Sequence, residues 1–123
     1  MKTNKQIKWL TEPAKHNYPA AVSYLNLLYP SNDVSKLVKQ LKKADIVSFK
    51  SKDIFRASQL SLLGVSNSHV IINIEKIDKG IALSPILLVR DSRNGKIIIA
   101  DGYHRMCAVY TFDEDALIPC KIV

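Results

Sequence analysis

Residues 83–105 read LSPILLVRDSRNGKIIIADGYHR, and this stretch decides the fold. It holds two continuous apolar runs, residues 86–89 and 97–100, each typical of a buried strand. Between the runs, Asn94-Gly95 favours a turn with positive φ, so the two strands are predicted to form a hairpin. Asp101-Gly102 then leads directly into a predicted helix over about residues 103–112.

Hydrophobic spacing on either side of this stretch predicts a mostly helical first part and one more strand at the end. Helices are predicted at about 19–28, at 34–41 with N-cap side chains from Ser31-Asn32-Asp33, and at 69–79 ending at Gly80. A short strand is predicted near 46–49, a short helical turn at 51–58 and a last strand at about 118–123. This order predicts an α+β fold with a small mixed sheet packed with helices.

The length of 123 residues suits one domain, because such a chain buries one core but hardly two. We therefore predict a single domain over residues 1–123, with a helical N-terminal part at 1–45 and a strand-hairpin-helix-strand part at 83–123. No apolar stretch approaches the length of a membrane span, and no signal-peptide core follows the basic start. The expected location is cytoplasmic, without membrane contact.

The charge is uneven along the chain. Of a net charge of +7, residues 1–60 hold eleven Lys and Arg against four Asp and Glu, whereas residues 61–123 hold seven against seven. A basic half attracts nucleic acid or another polyanion, but it also serves solubility. The two cysteines, Cys107 and Cys120, lack a metal-binding spacing and are predicted to be reduced core residues.

The junction between the second hairpin strand and the following helix carries the clearest chemistry. Gly102 removes a Cβ that would block a close ligand, and the first N–H groups of the helix are free to face an anion. His104 and Arg105 add donors, and Arg105 can grip two phosphate oxygens. The alternatives are structural: Asp101 as N-cap, Arg105 paired with Asp101 or Asp113, and Tyr103 covering the sheet edge.

Residues 83–119 resemble the nucleotide-binding half of the ParB/sulfiredoxin superfamily. The resemblance lies in a strand led by Pro85, a hairpin partner that ends in Gly102-x-His104-Arg105, a helix with the small residue Ala108, and a strand with Ile118-Pro119. The whole chain is also similar to a family of small bacterial proteins of uncharacterised activity, through residues 50–58 and 101–110. That similarity favours a stand-alone domain.

The resemblance implies a nucleotide phosphate held by Gly102, Tyr103, His104, Arg105 and nearby backbone amides. Members of the superfamily use the site differently, as CTP-dependent DNA clamps, ATP-dependent cysteine-repair enzymes or serine kinases, and the fold does not choose among these. A phosphotransferase or nucleotide hydrolase would need Mg²⁺ or an acid or base near the phosphate, for which Asp101, His104 and Asp53 are candidates. Whether the chain is an enzyme stays open.

Two features of the sequence depart from the superfamily pattern. Sulfiredoxins place a reactive cysteine just before the His-Arg pair, where this chain has Tyr103; Cys107, one helical turn further on, is the alternative thiol. ParB proteins continue into a DNA-reading helix-turn-helix, which is not found before residue 123, and their arginine-rich box is not plain here. Residues 50–58 stand in its place, so Lys52 and Arg56 are secondary candidates for the phosphate pocket, with a solvated loop as their alternative.

Two other functions compete with nucleotide binding. In one, the chain is a nucleic-acid-binding or nuclease-like module whose phosphate track is Lys36, Lys39, Lys42, Lys43, Lys50 and Lys52. In the other, it is an interaction partner in a larger bacterial or phage system, and the pocket is vestigial. The leading hypothesis is binding of a nucleotide or phosphorylated small molecule at the turn from Asp101 to Arg105.

Overall fold

A computed structural model describes residues 6–123. The helices within that range are α1 (Asn17–Leu25), α2 (Ser31–Lys43), α3 (Ser51–Ser58), α4 (Ser68–Lys79) and α5 (Tyr103–Phe112). The strands are β1 (Val47–Lys50), β2 (Ile86–Asp91), β3 (Lys96–Asp101) and β4 (Leu117–Ile122), and a single 3-10 turn, Ser92–Asn94, joins β2 to β3. Every helix and strand predicted from residue spacing is present, and the α+β prediction is confirmed.

The four strands form one mixed sheet in the order β1-β4-β2-β3. β2 and β3 are the predicted antiparallel hairpin, and β1 is antiparallel to β4. β4 runs parallel to β2 in the centre, with Ile86 opposite Cys120. Central strands are covered on both faces, which explains why β2 reads as a continuous apolar run rather than as an alternating one.

Helices cover both faces of the sheet, so the molecule has three layers. Side chains of α1 and α2, including Ala21, Leu25, Val34, Val38 and Leu41, pack on Leu87, Val89, Ile98 and Ala100. Side chains of α3, α4 and α5, including Ile54, Val70, Ile77 and Met106, pack on Ile86, Leu88, Ile99, Ile118 and Cys120. The two sets alternate along β2 and β3 because successive strand residues point to opposite faces.

The helix ends differ in how closely they follow the sequence prediction. At α4, the Asn67 side chain accepts hydrogen bonds from the N–H groups of His69 and Val70 at 3.0 and 3.2 Å, and Gly80 ends the helix at φ +71°. At α2, the prediction of an N-cap side chain within Ser31-Asn32-Asp33 was wrong. Pro30 is the N-cap residue, and its carbonyl accepts from Asp33 and Val34. Asp33 instead lies in the first turn, where the helix dipole favours a negative charge.

No helix among the described residues is long and apolar enough to cross a membrane.

Candidate functional site

Gly102 is the N-cap residue of α5 and makes the sharp turn from β3 into the helix. Its φ is +116°, a conformation that side chains with a Cβ rarely adopt. A Cβ here would lie 2.7 Å from the Cβ of Ile86 and 3.0 Å from Nη2 of Arg105. Glycine is therefore required here by its conformation and by the contact with Ile86, and the predicted further reason, room for a ligand, stays a prediction.

The first turn of α5 presents unpaired backbone donors. The first bond of the helix runs from the Met106 N–H to the Gly102 carbonyl at 2.9 Å, and no side chain caps the helix. Within residues 6–123 the N–H groups of Tyr103, His104 and Arg105 have no hydrogen-bond acceptor. Because the dipole of a ten-residue helix adds partial positive charge there, this end favours an anion.

Asp101 and Arg105 form an ion pair across the turn. Nη2 of Arg105 donates to Oδ2 of Asp101 at 3.0 Å, and their side chains are 16% and 18% exposed, respectively. Of the structural alternatives, pairing of Arg105 with Asp101 is therefore confirmed, whereas Asp101 is not the N-cap of α5. Nε of Arg105 is buried without an acceptor in the described part of the chain. The arginine is held in place while part of its donor capacity remains unused.

His104 lies against a second histidine, His69 of α4. Their ring centroids are 4.9 Å apart and the rings are tilted by 46°. Burial first, and then the neighbouring His69 and Arg105, lower the pKa of His104 below its ordinary value of 6.5. The imidazole is therefore neutral near pH 7 in the unliganded protein, and it can accept a proton when a negative charge comes close.

A cavity of about 250 Å³ opens between α4 and the start of α5; we call it the polar cavity. Its walls are His69, Ile72, Asn73, Lys76, Asp101, Gly102, Tyr103, His104 and Arg105. His69, Asn73 and Lys76 were not predicted as site residues. They follow the spacing i, i+4, i+7 and so share one face of α4, a polar pattern that the sequence displays but that apolar periodicity alone does not reveal.

The turn also lines a second space, which shares Asp101, Gly102, Tyr103 and His104 with the polar cavity. This apolar cavity of about 390 Å³ is lined by Ala20, Tyr24, Leu60, Ile99, Ala100, Asp101, Gly102, Tyr103 and His104. The Tyr103 hydroxyl donates to the Ser61 carbonyl, and burial raises the pKa of this phenol above its ordinary value of 10.0. Tyr103 therefore anchors the segment after α3 beside the turn.

The alternative thiol, Cys107, lies on the inner side of α5 and is fully buried in the core. Burial raises the pKa of its thiol above the ordinary value of 9.0 and that of Cys120 to about 12. A reactive cysteine needs an exposed site that stabilises its thiolate, and neither condition is met. The prediction that both cysteines are reduced core residues is confirmed.

The secondary candidates on α3 lie apart from the two cavities beside Gly102. Nζ of Lys52 pairs with Oδ1 of Asp115 at 2.8 Å, and Nη1 of Arg56 lies 3.8 Å from Oδ1 of Asp53. Neither Lys52 nor Arg56 lines the polar cavity or the apolar cavity. The residues that the structure does bring together are Asp101, Gly102, Tyr103, His104 and Arg105, joined by the α4 face.

Among residues 6–123, no group of three or more His, Cys, Asp or Glu side chains is placed to hold a metal ion. Comparisons of the chain with protein-family models, with curated proteins and with solved structures found no match.

Proposed function

We propose that this protein binds a nucleotide or another phosphorylated molecule, with the phosphate in the polar cavity. The observation that carries the proposal is the convergence of α4 side chains and the unpaired N–H groups of α5 on one small cavity. Helix N-termini bind phosphate through such N–H groups, and side-chain donors add to the attraction.

The electrostatics of the polar cavity favour an anion. Lys76 and Arg105 line it together with two imidazoles, and the only carboxylate in its wall, Asp101, is already paired with Arg105. In a partly buried site such charges act through less water and attract a phosphate more strongly than at an open surface. The cavity is thus a better place for a dianion than for a cation.

The three charged side chains have separate roles in this proposal. Asp101 is a positioning residue that fixes the guanidinium of Arg105, and the unused donors of Arg105 bind phosphate oxygens. Lys76 adds a mobile point charge. His104 is neutral before the phosphate binds, and it can accept or donate a proton as the phosphate charge changes. A phosphotransferase or nucleotide hydrolase with His104 as acid or base extends the proposal, but the arrangement supports binding more directly than catalysis.

A ParB/sulfiredoxin-like fold is part of the same proposal. It is supported by the order of hairpin, helix and strand, β2-β3-α5-β4, and by the glycine turn that precedes His104 and Arg105. Cysteine repair of the sulfiredoxin type is not proposed, because Tyr103 stands at the nucleophile position and Cys107 is buried. Any Mg²⁺ would be carried in by the nucleotide, since one engaged carboxylate is a poor cage for this ion.

Calorimetric titration with ATP, CTP, GTP and inorganic phosphate, each with and without Mg²⁺, tests the proposal. We expect binding well below about 1 mM for at least one of these ligands. Arg105→Ala should weaken it roughly tenfold or more, because hydrogen bonds between a charged donor and phosphate are lost. Lys76→Ala should weaken it in the same direction, and Lys76 is exposed, so this variant does not disturb the core.

Arg90→Ala is the matched control, because Arg90 is an exposed arginine on β2 that lies outside the polar cavity. Circular dichroism would verify that each variant is folded. Absence of measurable binding by the wild-type protein, or equal losses in the Lys76 and Arg90 variants, would overturn the proposal.

Nucleic-acid binding is the second candidate, and α2 is the observation that favours it. Its four lysines, Lys36, Lys39, Lys42 and Lys43, are all exposed, whereas Lys50 and Lys52 both contact Asp115. Of the six lysines in the predicted phosphate track, this candidate function therefore keeps the four on the outer surface of α2 and leaves out Lys50 and Lys52.

A further inference from the structure

The outer edge of β3 is the feature that the phosphate-binding proposal does not use. β3 ends the sheet order, so no strand of residues 6–123 pairs with its outer side. Side chains of successive strand residues point to opposite faces of a sheet, so a cavity on one face is lined by every second residue. A cavity lined by consecutive residues therefore lies along the edge of the strand. A cavity of about 450 Å³, which we call the hairpin cavity, is lined by all of residues 96–99. The apolar cavity continues along residues 99–101.

The hairpin cavity and the apolar cavity together form one groove, which we call the β3 groove. Both are lined by Tyr24, Leu60 and Ile99, so the two cavities adjoin along β3. Tyr24 and Leu28 of α1 form one wall, and Ser58 and Leu60 form the other. Tyr24, Leu28 and Leu60 are 41%, 46% and 40% exposed, which leaves apolar surface available along both walls.

The hairpin end of the β3 groove carries an excess of positive side chains. Arg93 and Lys96 lie at the hairpin end, where the carboxylate of Asp91 accepts a hydrogen bond from Asn94. The other end reaches Gly102 and His104 at the N-terminus of α5. An occupant with acidic groups near the hairpin end matches this distribution, as does the net charge of +7.

The shape of the groove selects a single extended chain. Strands pair at about 4.8 Å, so a partner must bring its backbone down between the two walls. If β3 of a second copy entered the groove, its own Tyr24 and Leu60 would meet the same side chains of the first copy, since these residues line the groove in each copy. A lone peptide segment has no such walls.

We propose that the β3 groove binds an extended, acidic peptide segment of a partner protein, which adds to β3 as a fifth strand. Backbone hydrogen bonds to the free edge of residues 96–101 hold the segment. Its apolar side chains rest on Tyr24, Leu28 and Leu60, and its acidic residues lie near Arg93 and Lys96. His69, Asn73, Lys76 and Arg105 line the polar cavity but not the groove, so the peptide and the phosphate adjoin only at the turn from Asp101 to His104.

A library of random dodecapeptides displayed on phage and selected on the folded protein provides the probe. Peptides enriched by selection should carry more Asp and Glu than Lys and Arg. The strongest one, synthesised with a fluorescent label, should shift the backbone amide signals of residues 96–101 in NMR spectra. N-methylation of its alternate backbone nitrogens on one edge should abolish binding, because that edge then lacks donors.

Leu60→Glu and Tyr24→Glu should each weaken binding of the labelled peptide roughly tenfold, because they place a negative charge in the wall opposite an acidic ligand. Leu27→Glu is the matched control, since Leu27 is 80% exposed on the segment after α1 and does not line the groove. Lys76→Ala, which is expected to impair phosphate binding, should leave peptide binding unchanged.

Any one of the following results would overturn the inference. They are no enrichment of acidic peptides, amide shifts confined to another surface, equal losses in the Leu60 and Leu27 variants, and a dimer in sedimentation that Leu60→Glu dissociates. The last result would assign the groove to a second copy of the chain. Displacement of the peptide by ATP with the same amide shifts would assign it to the phosphate ligand, and would also contradict the inference.

Discussion

Gly102 shows how one residue serves both the fold and the candidate site. Gly102→Ala combines a strained φ with a collision against the Ile86 side chain, so we expect a loss of about 2–4 kcal/mol in the free energy of unfolding. Urea denaturation measures it. The loss is expected to come from the contact between β2 and the start of α5, not from any ligand.

Gly64→Ala is the control for that prediction. Nothing lies within 4 Å of the position where a Cβ would stand at Gly64, and its φ is not in the positive region. This variant should keep or slightly raise stability, because alanine restricts the unfolded chain more than glycine does. Similar losses in the two variants would show that the Ile86 contact is not the cause.

His104 makes stability depend on pH. Because its pKa in the folded protein is below 6.5, the unfolded chain takes up a proton at this position first as the pH falls. The free energy of unfolding should therefore decrease as pH falls through about 6.5, and should stop changing below the folded pKa. His104→Gln should reduce this decrease in urea midpoints measured on both sides of that pH.

NMR titration of the His104 ring gives a direct check on the same residue. Saturating phosphate should raise the pKa of His104, because a nearby anion stabilises the imidazolium. A pKa at or above 6.5 in the free protein, or one that phosphate leaves unchanged, would contradict this account of the site.

For single residues, the sequence indicates which functional groups are available better than it indicates where they lie in the folded site. The Gly-x-His-Arg segment could be recognised as a donor-rich turn, but the pairing of Arg105 with Asp101 was only one of several alternatives. His69 and Lys76 could not be assigned to the same site, because their contribution depends on how α4 packs beside α5. The reason for Gly102 is a contact with Ile86, 16 positions earlier in the chain, which no local pattern encodes.

Among the elements, β4 is tied to α2 by a buried lysine. Nζ of Lys121 donates to the Lys42 carbonyl at 2.9 Å and lies 3.3 Å from Oε1 of Glu12, while its own side chain is only 3% exposed. Lys121→Met leaves a carbonyl at the end of α2 without its donor. We expect a loss of about 1–3 kcal/mol in the free energy of unfolding, measured by urea denaturation.

Glu12→Gln distinguishes the effect of the ion pair between Lys121 and Glu12 from that of the hydrogen bond between Lys121 and the Lys42 carbonyl. The Glu12 side chain is 64% exposed, so its share of the interaction is weakened by solvent, and this variant should change stability by no more than about 0.5 kcal/mol. A larger effect for Glu12→Gln than for Lys121→Met would mean that the ion pair, not the bond to α2, fixes the lysine.

The elements themselves were recovered from the sequence because their apolar spacing is regular. Apolar residues recur at regular spacing in α2, α4 and the β2-β3 hairpin, and turn residues mark their ends. Both signals depend only on neighbouring positions in the chain. The N-cap of α2 was misassigned because Pro30 and three polar residues offer competing starts. The parallel pairing of β2 with β4 was not predicted, since it depends on contacts between residues about 34 positions apart.

On the scale of the molecule, the basic first half predicts a salt-dependent affinity for nucleic acid. If the four lysines of α2 contact phosphates, binding of a labelled DNA or RNA duplex should weaken steeply as salt is added, since each contact releases counterions. Replacing Lys36 and Lys39 with glutamine should flatten the slope in an anisotropy assay. Replacing Lys50 and Lys52, which contact Asp115, should change it less.

A salt-independent signal, or equal effects of the two double variants, would remove the second candidate function. The charge imbalance itself was visible in the sequence. That Lys36, Lys39, Lys42 and Lys43 all lie on the exposed surface of α2, apart from the polar cavity, could not be seen there, because helix placement depends on how the layers pack.

The central place of β4 also bears on how the chain is made. β4 follows all other elements in sequence, yet β1 reaches β2 only through it. While a ribosome is still adding residues 117–122, β1 has no neighbouring strand and the β2-β3 hairpin stands without its parallel partner. Elongating chains therefore expose the inner edges of β1 and of the hairpin until β4 leaves the exit tunnel and pairs with both, which closes the sheet.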